Sequence, residues 1–396
     1  MNTRVKTLAS LMLIYGCLLM IFTWRTQNSE PRTNTNNQDR IKRKQKSALR
    51  TLLKGPVHYR KPESNYSRPV HNATILLWTT YYGNRDIISH IKSESPVPAW
   101  CRITFDRRTY DTADAVVFHG LTEDLTPKDL PRHRSPRHVW VYFILESPAY
   151  YDHNLTFLNE MAFNRTMTYR TDSDYHAPYG YLTKINNHHD AIKRESLIND
   201  TVLRNRIGLA VWMSSHCETQ SAREELIAQL SKVIPVATYG ECGDNQCDRH
   251  DELGCYRKLA SEYKFMLSFE NSLCPHYITE KFTNALHMGI VPVVYGAGNY
   301  STILPYPQSY IDVRDFKSVE WLGAYLSDLH HNLTAYKQYL KWRRHYRVHP
   351  RQGFSGFGRL CEAIRTGQHL KPNIVKVGDM WNPDNCRTGP KMVRLS

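Results

Sequence analysis

Six short apolar runs, each rich in β-branched or aromatic residues, limit what this chain can fold into: ATILLWTT (73–80), ADAVVFHG (113–120), HVWVYFIL (138–145), IGLAVWMS (207–214), KFMLSFE (264–270) and GIVPVVYG (289–296). Runs that are apolar nearly throughout, rather than alternating, are the pattern of strands buried on both faces. Longer amphipathic stretches separate them, so successive strands are joined by segments long enough to cross over as helices. The expectation is an α/β fold with parallel sheets covered by helices on both sides. At 396 residues the chain exceeds one ordinary core and suits two domains once its leader is set aside. Around 195–206 the sequence turns polar (ESLINDTVLRNR), and a hinge between two such domains is expected there. Ligands of open α/β sheets bind beyond the carboxyl ends of the strands, so functional residues should follow these runs.

The leader has its own signature. From Leu8 to Trp24 no residue is charged, and Arg4 and Lys6 precede the stretch. At 1.5 Å per residue it is near the lower limit of a membrane span, and the basic flank would keep the N-terminal end cytoplasmic. A cleaved signal peptide is the rival reading, but no small-x-small cleavage site follows, which favours an uncleaved anchor. A short span suits the thinner membranes of the early secretory pathway. Residues 25–62 hold eleven lysines and arginines against two acidic residues, and so supply most of the formal net charge of +15. Charge without apolar period reads as a solvated stem, and the rest of the chain lacks the basic footprint of a nucleic-acid binder. Seven Asn-x-Ser/Thr sequons follow the anchor, at Asn65, Asn72, Asn154, Asn164, Asn199, Asn299 and Asn332, as do eight of the nine cysteines. Both features agree with a lumenal, oxidising setting in which N-glycans and disulfides form. Zinc is the weaker reading of Cys242, Cys247 and Cys255, which form no CxxC pairs.

Several strand ends carry residues with chemical potential. In KFMLSFENSLCPHYITEKFTNALHMGIVPVVYG (264–296) a strand ends in Phe269-Glu270-Asn271, and Thr279 is positioned to cap a helix with Phe282, Ala285 and Leu286 inward. Free N–H groups at such a helix start attract phosphate, and Lys281 adds a full positive charge. Glu280 could serve either the helix dipole or a sugar's hydroxyls. In VWMSSHCETQSAREEL a strand ends in Ser214-Ser215 and Arg223 lies in the following helix, where an arginine taken alone reads as a surface charge. Asp172-Ser173-Asp174 has the form of an Asp-x-Asp metal site, through which Mn2+ could hold a nucleotide diphosphate. Glu146 follows the run at 138–145 and precedes Pro148. A carboxylate at a partly buried strand end has the raised pKa a general base needs, although by position alone a turn cap is the plainer reading.

The segment 264–296 closely resembles the donor-binding signature of the α1,3-fucosyltransferases of glycosyltransferase family ten, YKFxLxFENSxxxxYITEKxxNAL followed by GxVPVVxG. VWMSSHCETQSAREEL is similar to that family's S-x-C-x-x-x-S-x-R pattern, MTYRTDSDYHAPYGYL to its YRxDSDxxxPYGY element, and Glu146-Ser147-Pro148 to its ESP motif. The resemblance runs from about Ile75 to Cys361, and it implies a GT-B fold, two Rossmann-like domains facing a cleft, behind a single N-terminal transmembrane helix. The corresponding division is a cytoplasmic tail (1–7), an anchor (8–24), a stem (25–64), an acceptor-side domain (65–205), a GDP-fucose-binding domain (206–365) and a C-terminal tail (366–396).

It further implies that Glu146 is the catalytic base and Glu280 a second carboxylate flanking the fucosyl ring. Ser214, Ser215, Arg223, Glu270, Asn271, Tyr277 and Lys281 become donor-binding residues, and the aspartates at 172 and 174 become structural. Arg223 and Lys281 could neutralise the departing diphosphate as fixed cations. No metal site and no tightly bound cofactor are therefore expected, with stimulation by Mn2+ or Mg2+ left open. The expected reaction is inverting transfer of L-fucose from GDP-β-L-fucose to N-acetylglucosamine of glycoprotein N-glycans, in the core or an antenna. The expected setting is the Golgi membrane, with type II topology, a lumenal catalytic domain and no nucleic-acid partner. A catalytically inactive glycan-binding relative is the alternative. Two positions depart from the pattern: Met266 stands where many relatives have an aromatic residue, and Cys361 and Cys386 stand apart where relatives have a tight pair. One of those two cysteines is a candidate partner for Cys101.

Overall fold

Each of the six apolar runs forms a strand with its neighbours parallel to it. The first sheet comprises β1 (Ala73–Leu77), β2 (Cys101–Thr104), β3 (Ala115–His119), β4 (Val139–Ile144) and β5 (Arg165–Thr168), and β6 (Gly180–Lys184) follows it. The second comprises β7 (Gly208–Met213), β8 (Val236–Tyr239), β9 (Tyr263–Phe269), β10 (Val291–Tyr295) and β11 (Ile311–Asp312). Their spatial orders are β2-β1-β3-β4-β5 and β11-β10-β9-β7-β8, and every pairing in both sheets is parallel. The two sheets thus repeat one doubly wound topology, in which the strand order reverses between the first and third strand and opens a crevice there. This computed structural model describes residues 72–120, 130–131, 133–134, 138–150, 156–161, 163–187, 192, 199–248, 251–370 and 373–387, all within the compact unit Pro56–Ser396. The expected tail, anchor and stem, and the sequons at Asn65 and Asn154, lie outside the described residues.

The helices that matter for function are α1 (Ile87–Glu94), α2 (Arg223–Leu230), α3 (Glu252–Glu262), α4 (Glu280–Met288), α5 (Val319–His331) and α6 (Ser355–Arg365). Among the described residues no helix is long and apolar enough to cross a membrane. The second sheet buries Trp212, Phe265, Leu267 and Val293 against Leu226, Ile227 and Leu230 of α2 and Leu322 and Leu326 of α5. Its other face takes α3 and α4, and Met266 packs there with Leu259 and Ala285. Met266 is 2% exposed and belongs to the core, so its departure from an aromatic residue is a matter of packing.

The expected boundary at residue 365 does not follow the packing. Phe354, Phe357, Leu360 and Ile364, on and just before α6, are buried with Ile75, Val117 and Val141 of the first sheet. A disulfide between Cys101 and Cys361 fastens them there. The chain returns to the first sheet through β12 (Tyr346–Pro350), which pairs antiparallel with β6. An amphipathic helix must bury its apolar stripe, and α6 finds its partner in the first half of the chain rather than in the half that precedes it. The described part of the expected tail is also built in: Trp381 is fully buried, and Cys386 is bonded to Cys274. Cys217–Cys242 and Cys247–Cys255 are the other disulfides among the described residues, so the three cysteines that could have been zinc ligands are taken up by sulfur–sulfur bonds.

The sequons divide by burial. Asn72, Asn199, Asn299 and Asn332 are exposed. The last three cap helical turns through the carbonyl oxygen of the side chain, leaving the cap independent of the nitrogen that a glycan takes. Asn164 is different, at 2% exposure. Its Oδ1 accepts the Trp140 N–H at 2.9 Å and an Arg134 N–H, and its Nδ2 donates to the Asn373 carbonyl at 3.1 Å. A glycan on that nitrogen would have to displace the segment at Asn373, and in this fold Asn164 serves as a structural asparagine.

Candidate active site

The loop between β9 and α4 is held by a carboxylate inside it. Glu270 is wholly buried, and its two oxygens accept the Thr279 N–H at 2.8 Å and the Thr279 hydroxyl at 2.7 Å. Burial pushes Glu270 up to about 7, against the opposing pull of Lys281. Thr279 in turn caps α4, its hydroxyl oxygen accepting the Lys281 N–H. The first turn of α4 therefore stands rigidly at the end of the second sheet. Phe282, Ala285 and Leu286 are buried beneath it, as the periodicity required.

Two opposite charges lie side by side on that first turn. The Lys281 ammonium donates to Glu280 Oε1 at 2.7 Å and to the Thr279 hydroxyl at 3.2 Å. Burial would raise Glu280, but the Lys281 charge outweighs it and holds the carboxyl below its ordinary value. Burial would likewise lower Lys281, yet Glu280 and Glu270 together hold the ammonium above its ordinary value. Both groups are ionised at neutral pH.

Arg223 comes from the other side. Ala222 adopts a left-handed conformation (φ 51°) immediately before α2, which turns Arg223 inward from the helix's first residue to 2% exposure. Its guanidinium donates to the Phe269 carbonyl at 2.8 Å, the Ser214 hydroxyl at 2.6 Å and the His216 carbonyl at 3.1 Å. Nε has no partner, and burial lowers the Arg223 pKa against the opposing charge of Glu270. Arginine keeps its proton under such conditions, so a buried positive charge sits between the ends of β7 and β9. This is no surface helix charge. Ser214, Ser215, Arg223, Glu280 and Lys281 line a cavity of about 330 Å³ at that crevice.

Glu146 approaches from the first sheet. It stands two residues beyond β4, and its Oε2 accepts the Tyr277 hydroxyl at 3.0 Å. Ser147 donates to the Ser272 hydroxyl at 2.7 Å, a second bond between the same two loops. Burial raises the Glu146 pKa; Lys281 and the hydrogen bonds from Tyr277 and Asn271 oppose it, and the nearby Glu280 charge reinforces it. The carboxylate is half-buried, so it keeps access to solvent and to a substrate hydroxyl.

The expected residues thus gather, although not all in one role. Glu270 and Tyr277 are buried behind the cavity wall and act through Thr279 and Glu146. Asn271 is buried with its Oδ1 unpartnered. Asp172 is paired with Arg170 at 2.6 Å, and Asp174 accepts the Thr166 N–H and hydroxyl at 2.9 and 3.1 Å, so both aspartates serve the loop they stand on. Not anticipated is Glu252 at the start of α3. It lines the same cavity, accepts from Asn284 at 3.1 Å and from Arg351 at 3.2 Å, and is raised by burial and by Glu280. Gln246, Cys247 and Asp248 line the same cavity. Described residues of the cysteine-rich stretch 239–255 thus form a wall of the site, which its spacing alone did not indicate.

Twin parallel sheets of one doubly wound topology, with a buried arginine and a half-buried lysine at the crevice of the second and a carboxylate facing them from the first, define a two-lobed α/β protein with a site for an anionic ligand. Two family models match the chain: fucosyltransferase, N-terminal, over residues 70–180, and glycosyltransferase family 10 (fucosyltransferase) C-term, over residues 203–379. Alpha-(1,3)-fucosyltransferase C of Drosophila melanogaster is 37% identical over 69% of this chain and 70% of its own length. Alpha-(1,3)-fucosyltransferase fut-6 of Caenorhabditis elegans is 31% identical, over 77% of this chain and 79% of its own. The 4-galactosyl-N-acetylglucosaminide 3-alpha-L-fucosyltransferase 9 of Bos taurus is 33% identical over 79% and 83%. A crystal structure of an α1,3-fucosyltransferase with GDP-fucose matches at 16% identity and a TM-score of 0.48, over 81% of this chain and 96% of that one. The chain belongs to glycosyltransferase family 10, and it is an α1,3-fucosyltransferase.

Proposed function

We propose that this enzyme transfers L-fucose from GDP-β-L-fucose to the 3-hydroxyl of an N-acetylglucosamine in glycoprotein N-glycans, in the core or an antenna. Glu146 takes the proton of the acceptor hydroxyl, whose oxygen attacks the anomeric carbon of fucose. The bond from that carbon to the β-phosphate oxygen breaks on the opposite face, so a β-linked donor yields an α-fucoside. Arg223 and Lys281 neutralise the departing diphosphate, and Glu280 faces the charge-deficient ring. The observation that carries this reading is the Tyr277 bond to Glu146, which ties the base to the loop that leads into α4 and its Lys281. Support for N-acetylglucosamine comes from the bovine relative, whose name states that acceptor. The binding-only alternative called for loss of the base or a cation, and Glu146, Arg223, Glu280 and Lys281 are all present. The leader, the exposed sequons and the disulfides support a type II protein of the Golgi membrane with its catalytic part in the lumen.

The test is to incubate the purified chain with GDP-fucose and a panel of defined N-glycans and antennal precursors, with and without EDTA. Fucose should appear on at least one N-acetylglucosamine acceptor, and fixed cations at the diphosphate predict that EDTA leaves transfer in place. Glu146→Gln should lower kcat about 10²- to 10⁴-fold with little change in the KM for GDP-fucose. Full turnover by that variant would remove Glu146 as the base, and tight glycan binding without transfer to any acceptor would sink the proposed reaction.

A further inference from the structure

A second cavity, of about 510 Å³, lies outside the donor-side site, between α6, the β5–β6 connection and Tyr181 of β6. Its size is that of a small-ligand site. Ser355, Arg359 and Glu362 line it at helical spacing, forming the outer stripe of α6 while Phe357, Leu360 and Ile364 are buried on the opposite stripe. Gly358, which also lines the cavity, gives its N–H to the Ser95 hydroxyl at 2.9 Å, a close approach that a side chain there would block. Ser355 is 8% exposed, yet its hydroxyl has no hydrogen-bond partner. A buried polar group without a partner is uncommon, and a rotamer turned toward the cavity would bring this hydroxyl to a ligand.

The rest of the lining specifies the ligand's chemistry. Tyr181 stands at the rim 38% exposed, its ring stacked on His349 with centroids 4.7 Å apart and planes 16° apart, so it is fixed in orientation. A held aromatic ring of this kind suits the apolar face of a pyranose. Gln352, Gln368, Arg359 and Glu362 offer donors and acceptors together. An anion would meet Glu362 and Asp174, and a cation would meet Arg359, whereas vicinal hydroxyls can satisfy both kinds of group.

The place is also informative. The Gln352 N–H donates to the Tyr179 carbonyl at 3.1 Å, and the Tyr179 hydroxyl donates at 2.7 Å to the carbonyl of Leu145, the residue before the base. Arg351, the residue before Gln352, reaches Glu252 of the donor-side cavity. The pocket is therefore fastened to the catalytic cleft by short connections without sharing its side chains. We infer that it is a second carbohydrate site, taking a sugar of the glycoprotein acceptor other than the one that is fucosylated. This rests on the glycoprotein acceptor proposed above.

The experiment compares steady-state kinetics of the full chain on a short synthetic N-acetylglucosamine acceptor and on an intact N-glycosylated glycoprotein. Arg359→Ala combined with Tyr181→Ala changes two exposed residues outside the catalytic cleft. It should raise the KM for the glycoprotein about five- to tenfold, leaving its kcat and both constants for the short acceptor unchanged. Ser355→Ala should raise the same KM without loss of thermal stability, because the hydroxyl has no partner within the protein. Unchanged glycoprotein KM in both variants overturns the site. So does a parallel loss on the short acceptor, which would mean a disturbed cleft. A wild-type chain that fucosylates neither acceptor overturns the proposed reaction and this site with it, which separates the two failures.

Discussion

A fully enclosed carboxylate has to be neutral, paired or held by donors, and Glu270 shows how much one side chain can organise. It fixes Thr279, Thr279 caps α4, and α4 presents Glu280 and Lys281. Its pKa of about 7 makes this arrangement sensitive to pH in a definite direction. Between the ordinary carboxylate range and about 7, Glu270 is protonated in the folded chain and ionised in the unfolded one. The folded state then binds more protons, so the Glu270 contribution to stability falls as pH rises through that window, by at most about 3 kcal/mol. Glu270→Gln should flatten this part of the profile, measured as the difference in Tm between variant and wild type from pH 5 to 7.5. Parallel profiles would show that Glu270 titrates at its ordinary value. Glu94, also raised to about 7 by burial, contributes in the same direction to both proteins and cancels in the difference.

At the scale of elements, the split between what was anticipated and what was missed follows the sheets. The six apolar runs are β1, β3, β4, β7, β9 and β10, which are the interior strands of the two sheets. The unanticipated β2, β5, β8 and β11 are the four edges, each two to four residues long. An interior strand is buried on both faces and must be apolar, but an edge strand is short and tolerates charge, so its sequence carries little signal. β5 illustrates the difficulty: its Arg165 is buried and bonded to the carbonyl of Asn164, within an apparently ordinary sequon. Peptide mapping of the folded glycoprotein should find Asn164 unmodified. Asn164→Gln should cost about 1–3 kcal/mol by disrupting the buried amide's bonds, read from the urea midpoint. A glycan on Asn164 in the folded enzyme would contradict the packing against Asn373.

For the whole molecule, the chain does not finish one half before starting the other. After completing the second sheet it returns through β12 and α6 to the first, and Cys101–Cys361 closes a separation of 260 residues. A loop of that length confines the unfolded chain strongly, so Cys361→Ser should destabilise the oxidised protein by about 2–5 kcal/mol in urea unfolding. A change under about 1 kcal/mol would mean that the packing of α6 suffices without the bond. The return also gives the second carbohydrate cavity its α6 wall.

Much of this was readable from the residues in order. Apolar runs compel interior strands because water is excluded from both their faces, and the cap Thr279 and the inward side of α4 follow from helical periodicity within a dozen residues. The short motifs, through resemblance to a family, marked Glu146, Arg223, Glu280 and Lys281. What distance along the chain hides, only the tertiary structure decided. Glu146 and Tyr277 are 131 positions apart, Arg351 and Glu252 99 apart, and Cys101 and Cys361 260 apart. None of these pairs has a local signature, because each depends on the order in which strands assemble and on where an amphipathic helix finds its partner. The division of labour among the conspicuous acids was decided in the same way. Glu270 is sealed in as a support and Glu146 is left half-open, because burial and neighbouring charge belong to the folded site.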